Sequence, residues 1–157
     1  GSETTTAQSA SARVRPLAAE DAPEWRRLWT GYLRFYETRV SEEVYATTFA
    51  RLLSGQDNEF SGLIAELDGK PVGLVHYLFH RHCWKVENVC YLQDLYTAPE
   101  CRGRGVARQL IEAVYDAAEK AGCPAVYWLT QEFNYKGRML YDKVGVKTPF
   151  IRYNRPA

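Results

Sequence analysis

Between Asp94 and Arg108 the chain reads DLYTAPECRGRGVAR, the end of an apolar strand, a basic turn and the start of a helix. Gly103 and Gly105 carry no Cβ, so the backbone there can come close to a ligand. A helix beginning at Val106 would aim its first unpaired N–H groups back into the turn. Those donors, the positive end of the helix dipole and the charges of Arg102 and Arg104 suit an anion, most naturally a pyrophosphate. The same residues also read as an ordinary strand–turn–helix joint with solvated arginines.

Two better-known phosphate loops do not fit. A dinucleotide fingerprint needs a Gly or Ala where Arg108 stands, and the chain after Ala107 is too short for the βα units of that fold. A Walker loop needs Gly-Lys-Ser/Thr, which is absent. A phosphate cradle here belongs to some other coenzyme site.

The elements that must position this turn can be read in order. Gly1–Ala12 is small and polar, with Gly1-Ser2 reading as a tag scar, and is expected to be a disordered tail ahead of one domain over 13–157. Arg13–Leu17 predicts a first strand. Asp21 with Glu24 has the spacing of a capping box. Trp25, Leu28, Trp29, Tyr32 and Tyr36 then recur at helical spacing, a stripe for the core, with Tyr36-Glu37 at the helix end free to face a cleft. Ser41 caps a second helix that Gly55 ends. Gly62–Leu67, Asp68-Gly69 and Pro71–Phe79 form a hairpin on a turn that tolerates positive φ. Asn88–Thr97 is the strand that feeds the basic turn. Val106, Ala107, Leu110, Ile111, Val114, Ala117 and Ala118 make one helical stripe, stopped by Gly122 and Pro124. Ala125–Thr130 reads as a strand, Asn134 as the cap of a helix to Lys143, and Phe150–Tyr153 as a last strand. The order β, α, α, β, β, β, α, β, α, β predicts an α/β sandwich with a mixed, mainly antiparallel sheet flanked by helices.

Composition narrows the partners. The chain of 157 residues is one domain, 46% hydrophobic and 25% charged, as globular domains are. A net charge of +1 gives no reason to expect nucleic acid. No apolar run is long enough for a membrane span and no signal peptide is read, so a cytoplasmic location is expected. Cys83, Cys90, Cys101 and Cys123 lack C-x-x-C spacing and read as reduced thiols. Cys101, beside the basic turn, is either a buried thiol or a low-pKa one. His80, His82 and Cys83 lie in a loop without a fourth ligand, so no metal is expected.

Two motifs carry a resemblance. Arg102-x-x-Gly105-x-Ala107, after a strand and before a helix, resembles the acetyl-CoA loop of the GNAT N-acetyltransferases, Q/R-x-x-G-x-G/A. Asn134-x-x-Gly137-x-x-Leu140-Tyr141-x-x-x-Gly145 resembles the second GNAT signature, and the element order is similar throughout Arg13–Arg155. Within that superfamily, Tyr91–Tyr96, Val126–Trp128 and Leu140–Thr148 resemble the fungal histone and D-amino-acid acetyltransferases. Tyr36-Glu37, Tyr91-Leu92, Asp94 and Glu132 are similar to the diamine (spermidine/spermine) acetyltransferases. Gln93 stands where that branch carries a glutamate holding the substrate amine, and Val146 where the motif usually has an aromatic residue.

The resemblance implies a GNAT fold, acetyl-CoA as co-substrate and acetyl transfer to a primary amine by direct attack. It assigns coenzyme contacts to Leu95, Tyr96 and Thr97, to the turn Arg102, Gly103, Arg104, Gly105, Val106, Ala107 and Arg108, and to Asn134, Gly137 and Tyr141. It places Tyr141 as the acid that protonates the leaving thiolate. A primary amine like that of lysine has a pKa of about 10.4 and must lose a proton to attack. Glu37, Asp94 and Glu132 are the candidate carboxylates, each of which also reads as a solvated or capping acid. A small amine, a polyamine or an amino acid, is expected between Tyr36-Glu37 and Gln93-Asp94, with Glu132 nearby. A peptide or protein amine and a non-catalytic acyl-CoA sensor are the alternatives. Family resemblance and the exposed edge of the last strand also suggest a homodimer.

Overall fold

The computed structural model describes residues 11–157. Most of the expected tail therefore lies outside the described residues. Its last residue, Ala12, is buried, and its backbone is clasped by Gln109 through N–H to Oε1 (3.1 Å) and Nε2–H to O (2.9 Å). Order thus begins at least one residue before Arg13.

A five-stranded sheet, in sequential order, forms the middle layer. Its strands are β1 (Arg13–Pro16), β2 (Ser61–Leu67), β3 (Lys70–His80), β4 (Val89–Thr97) and β5 (Val126–Tyr127). Four helices flank it: α1 (Ala22–Phe35), α2 (Glu42–Leu53), α3 (Val106–Lys120) and α4 (Tyr135–Val144). The first three strand pairs are antiparallel and β4–β5 is parallel. The hairpin turn forms at Asp68 and Gly69, with φ of 53° and 78°.

Period-two alternation on β3 sends neighbours to opposite layers. Gly73 faces α3, where an added Cβ would meet Leu110 and Val106, while His76 faces α1 and bonds Trp25. Trp25, Leu28, Trp29 and Leu33 bury one stripe of α1; Val106, Leu110, Ile111, Val114 and Ala118 bury one stripe of α3. Gly31, mid-helix in α1, lets Tyr96 approach: a Cβ there would sit 2.5 Å from the Tyr96 hydroxyl.

Three expectations change. The capping box at Asp21 does not form. Its carboxylate instead takes both Arg15 guanidinium nitrogens (2.7 and 2.8 Å) and the Ala18 N–H (2.7 Å), and Glu24 pairs with Arg27. A bidentate arginine on a buried carboxylate outcompetes a helix-end amide that water can reach. The strand expected over Ala125–Thr130 shrinks to Val126–Tyr127. Phe150–Tyr153 is not a strand; these residues are exposed and irregular. A strand needs a partner segment, and Phe150–Tyr153 pairs with none of the five strands of the sheet.

Candidate active site

The basic turn has the geometry an anion needs. A 3₁₀ turn at Pro99–Cys101 ends β4's run, and Gly103 and Gly105 then take φ of 83° and 77°. Non-glycine residues resist that region, which explains both glycines. Gly105 sits at the N-cap of α3, and no side chain caps the helix, so its first N–H groups face the turn unanswered. A Cβ at either glycine would meet no protein atom within 4 Å, so the space above the turn is open. Arg102 and Arg104 are exposed, whereas Arg108 pairs with Glu112 at 2.9 Å. Val106 is buried and Ala107 half-buried, so Val106 can offer only its backbone. Left-handed residues alternating with others in front of a helix make a concave row of donors that fits a pyrophosphate.

Upstream, β4 is built to expose backbone. It pairs with β5 only at Cys90 and Tyr91, which leaves Leu92–Thr97 with no strand on that side. Leu95, Tyr96 and Thr97 are half-buried along this edge, which could pair with an extended ligand arm running from the turn. On the other side a β-bulge interrupts the ladder: His76 faces Asp94 and Tyr77 faces Leu92, so Gln93 has no partner and is exposed.

The bulge decides the site. In a regular strand residues 91 and 94 would point to opposite faces. The extra residue turns both to the face beneath α1, and the Tyr91 hydroxyl lies within the field of the Asp94 carboxylate. Asp94 itself is buried, its Oδ2 accepting from His76 Nδ1 at 2.8 Å and Trp29 Nε1 at 3.2 Å. Tyr32 lies beside it; burial first, then the carboxylate, pushes its phenol well above the usual range. Tyr36 packs against Tyr32 with tilted rings 5.1 Å apart, and its phenol is raised by burial and then by Asp94 and Tyr91.

Tyr141 closes the ring. It lies on α4, edge-on to Trp128 at 5.7 Å, and feels Tyr36; burial mainly, with that neighbour, pushes its phenol to about 12. At neutral pH it therefore holds its proton and can donate it. Tyr127 stacks on Tyr91 at 4.8 Å and bonds His80 Nε2 at 2.7 Å, extending the aromatic wall. The structure thus sets Tyr36 near both Asp94 and Tyr141.

Other expected residues stand apart. Glu37 is exposed in a turn with φ of 55° and hydrogen-bonds neither Asp94 nor Tyr141 through its side chain. The Glu132 side chain is exposed, and its carbonyl accepts from Arg138. Asn134 is committed to capping α4, with Oδ1 accepting the Gly137 N–H at 3.2 Å and Nδ2 donating to Thr130 at 3.0 Å. Gly137 is small because a Cβ would sit 2.6 Å from that amide. The low-pKa reading of Cys101 is overturned: the thiol is buried against the Ala98 and Val72 carbonyls, and burial raises it. His80 spends both ring nitrogens on the Arg81 carbonyl and the Tyr127 hydroxyl, and His82 Nδ1 accepts from the Trp84 N–H. Sequence reasoning missed His76, Tyr32 as a polar group and the Tyr91–Tyr127 wall. A lone histidine inside an apolar strand was the one available signal for the first.

Comparison with known proteins gives the family and the fold. The model of the "Acetyltransferase (GNAT) family" matches residues 23–146. A D-amino-acid N-acetyltransferase of Saccharomyces cerevisiae, HPA3, is 39% identical over 143 residues, covering 90% of this chain and 89% of that protein. A thialysine N-epsilon-acetyltransferase of mouse is 28% identical, covering 88% and 85%. Among solved structures, the aminoglycoside acetyltransferase AAC(6')-Iy, in complex with a bisubstrate analog built on CoA, superposes with a TM-score of 0.78 at 20% identity, covering 94% and 100%. The last of these speaks to the fold, and the first two to the family. From the phosphate-shaped turn, the open β4 edge and these relatives together, the chain belongs to the GNAT acetyltransferase family and is an N-acetyltransferase.

Proposed function

We propose that the enzyme moves an acetyl group from acetyl-CoA to the primary amine of a small, amino-acid-like or polyamine molecule by direct attack. One observation carries the reading: a single strand, β4, leads from a buried carboxylate in an aromatic ring, along an unpaired edge, into a turn shaped for pyrophosphate. In this reading the turn Arg102–Arg108 holds the diphosphate through backbone donors, and the β4 edge at Leu95–Thr97 pairs with the pantetheine arm. Backbone N–H near the bulge stabilises the thioester oxygen as it gains charge.

Asp94 and Tyr36 hold the cationic amine at the ring, with cation–π support from the tyrosines. Asp94, directly or through water, accepts the ammonium proton, the freed lone pair attacks the thioester carbon, and the C–S bond breaks. Tyr141 gives its proton to the departing sulfur and recovers one from the carboxylate or solvent. Glu37, Gln93 and Glu132 belong to the outer mouth, where they meet the far end of the substrate.

The yeast relative is named for D-amino acids and the mouse relative for the N-epsilon amine of thialysine, both small molecules. With a neutral Gln93 at the mouth, amino-acid-like amines rank level with or above spermine. A coenzyme-thiol release screen across D- and L-amino acids, thialysine, spermidine and a basic peptide tests this. Turnover of peptides alone would replace the small-molecule reading. Glu37→Gln should raise KM for cationic amines with a smaller effect on kcat, since it removes binding shared by ground and transition states; an unchanged KM for every amine moves the mouth elsewhere.

The enzyme is also proposed to be a homodimer. Leu129, Phe133, Tyr135, Met139, Phe150 and Ile151 are large apolar side chains left exposed in the last third of the chain. Such a concentration favours a second copy as cover. Light scattering that returns the mass of one 18.0 kDa chain across micromolar concentrations rejects it.

A further inference from the structure

The Asp94 carboxylate is gripped by a buried chain of side chains that the reaction scheme does not use. His76 is only 4% exposed, and both its ring nitrogens are engaged: Nε2 with Trp25 Nε1 at 3.0 Å, and Nδ1 with Asp94 Oδ2 at 2.8 Å. An indole nitrogen can only donate. Nε2 of His76 must therefore accept, which leaves its proton on Nδ1, aimed at Asp94. Trp25 and Trp29 lie one turn apart on α1 with their rings stacked at 5.2 Å, and Trp29 donates to the same carboxylate oxygen. One helix thus grips Oδ2 twice, once directly and once through the imidazole.

We propose that His76 is a positioning residue: its Nδ1–H, held in that tautomer by Trp25, fixes the Asp94 carboxylate so that Oδ1 faces the substrate amine. The inference rests on the reading of Asp94 as the amine-facing carboxylate. The location supports it. His76 and Asp94 are cross-strand partners at the edge of the bulge, where the ladder alone holds the backbone least firmly. With Oδ2 filled by two donors, the side chain cannot swing without losing one of them. A leucine or methionine would fill the same space between α1 and β3 but would leave Asp94 Oδ2 with the Trp29 indole and without the imidazole.

The test is a double-mutant cycle on the full chain, with steady-state kinetics for the best amine, coenzyme affinity by calorimetry and thermal melting measured on every variant. His76→Leu should raise KM for the amine about tenfold, with a smaller change in kcat and unchanged coenzyme affinity. His76→Asn, which keeps an N–H near the Nδ1 position, should recover to within about threefold of wild type. In an Asp94→Asn background, His76→Leu should change kcat/KM by less than about twofold, because the group it acts through is already altered. Two multiplicative single effects, or equal losses for His76→Leu and His76→Asn, would show a general packing role and overturn the proposal. An Asp94→Asn variant that alone leaves KM and kcat unchanged would instead overturn the amine-facing reading of Asp94. Should His76→Leu not fold, nitrogen-15 NMR of His76 in the wild-type enzyme decides: a protonated Nδ1 with a bare Nε2 is expected, and the opposite tautomer or an imidazolium refutes the chain.

Discussion

Gly105→Ala separates the turn's part in ligand binding from its part in folding. Gly105 has φ of 77°, where an L-residue with a Cβ costs about 1–2 kcal/mol. No protein atom lies within 4 Å of the added methyl, so strain is the whole expected cost to folding. For a domain of this size that corresponds to a drop of roughly 2–8 °C in Tm. Gly55 is the matched control, with φ of 66° and equally empty surroundings at the far end of α2. Gly55→Ala should lose the same stability. The two variants should part company on coenzyme affinity. The Gly105 methyl enters the space over the turn, and a loss of at least tenfold in Kd, about 1.4 kcal/mol, is expected there and none at Gly55. Differential scanning fluorimetry and isothermal titration with the coenzyme read the two effects on the same samples. Equal Kd values for Gly105→Ala and Gly55→Ala would remove the turn from the binding site, however natural its shape.

Tyr141→Phe should lower kcat by roughly 10²–10⁴-fold with little change in coenzyme affinity, since it removes an acid and not a contact to the phosphates; kcat within twofold of wild type would make Tyr141 a packing residue. Asp21→Ala removes two charge-assisted hydrogen bonds from the half-buried Arg15 guanidinium, which keeps only Glu66, and should cost about 2 kcal/mol in urea denaturation, against a near-neutral result if the pair only decorates the surface. The hydrogen bonds from Arg15 hold the Asp21 carboxyl below its usual value of 3.8, so the stability it adds is present above that pH and is lost as pH falls through the lower folded value. Flat urea midpoints from pH 5 to 2 would contradict this. At the alkaline end, burial raises Tyr141 and Cys90 to about 12, so their contribution is intact below their ordinary values of 10.0 and 9.0 and fades as pH climbs through about 12. Melting temperatures that begin to fall between pH 9 and 10 are expected; constancy to pH 12 would refute the burial of these groups.

Local chemistry made much of this enzyme legible from its residues alone. Gly103 and Gly105 can adopt positive φ because they lack a Cβ, and Asp68-Gly69 can close a two-residue turn, whatever surrounds them. The stripes of α1 and α3 follow from a period of 3.6, and Ser41 and Asn134 cap helices through their own neighbouring amides. Tyr141 was singled out only through the resemblance of Asn134–Gly145 to the second GNAT signature.

What tertiary structure decided begins at Gln93. A bulge depends on how two strands meet, and no composition rule on β4 marks it; yet that one unpaired residue sets which face Asp94 shares with Tyr91. Asp94, Glu37 and Glu132 are equivalent carboxylates in sequence, and only packing buried the first and left the others in water. His76 gains its meaning from Trp25, 51 positions away, and Asp94, 18 positions away. Asp21 has the right neighbours for a cap, and was taken by an arginine on a strand that the helix rule does not consider. Phe150–Tyr153 has the residues of a strand and pairs with none, because strand pairing, unlike a helix or a tight turn, is a property of two segments and cannot be read from one.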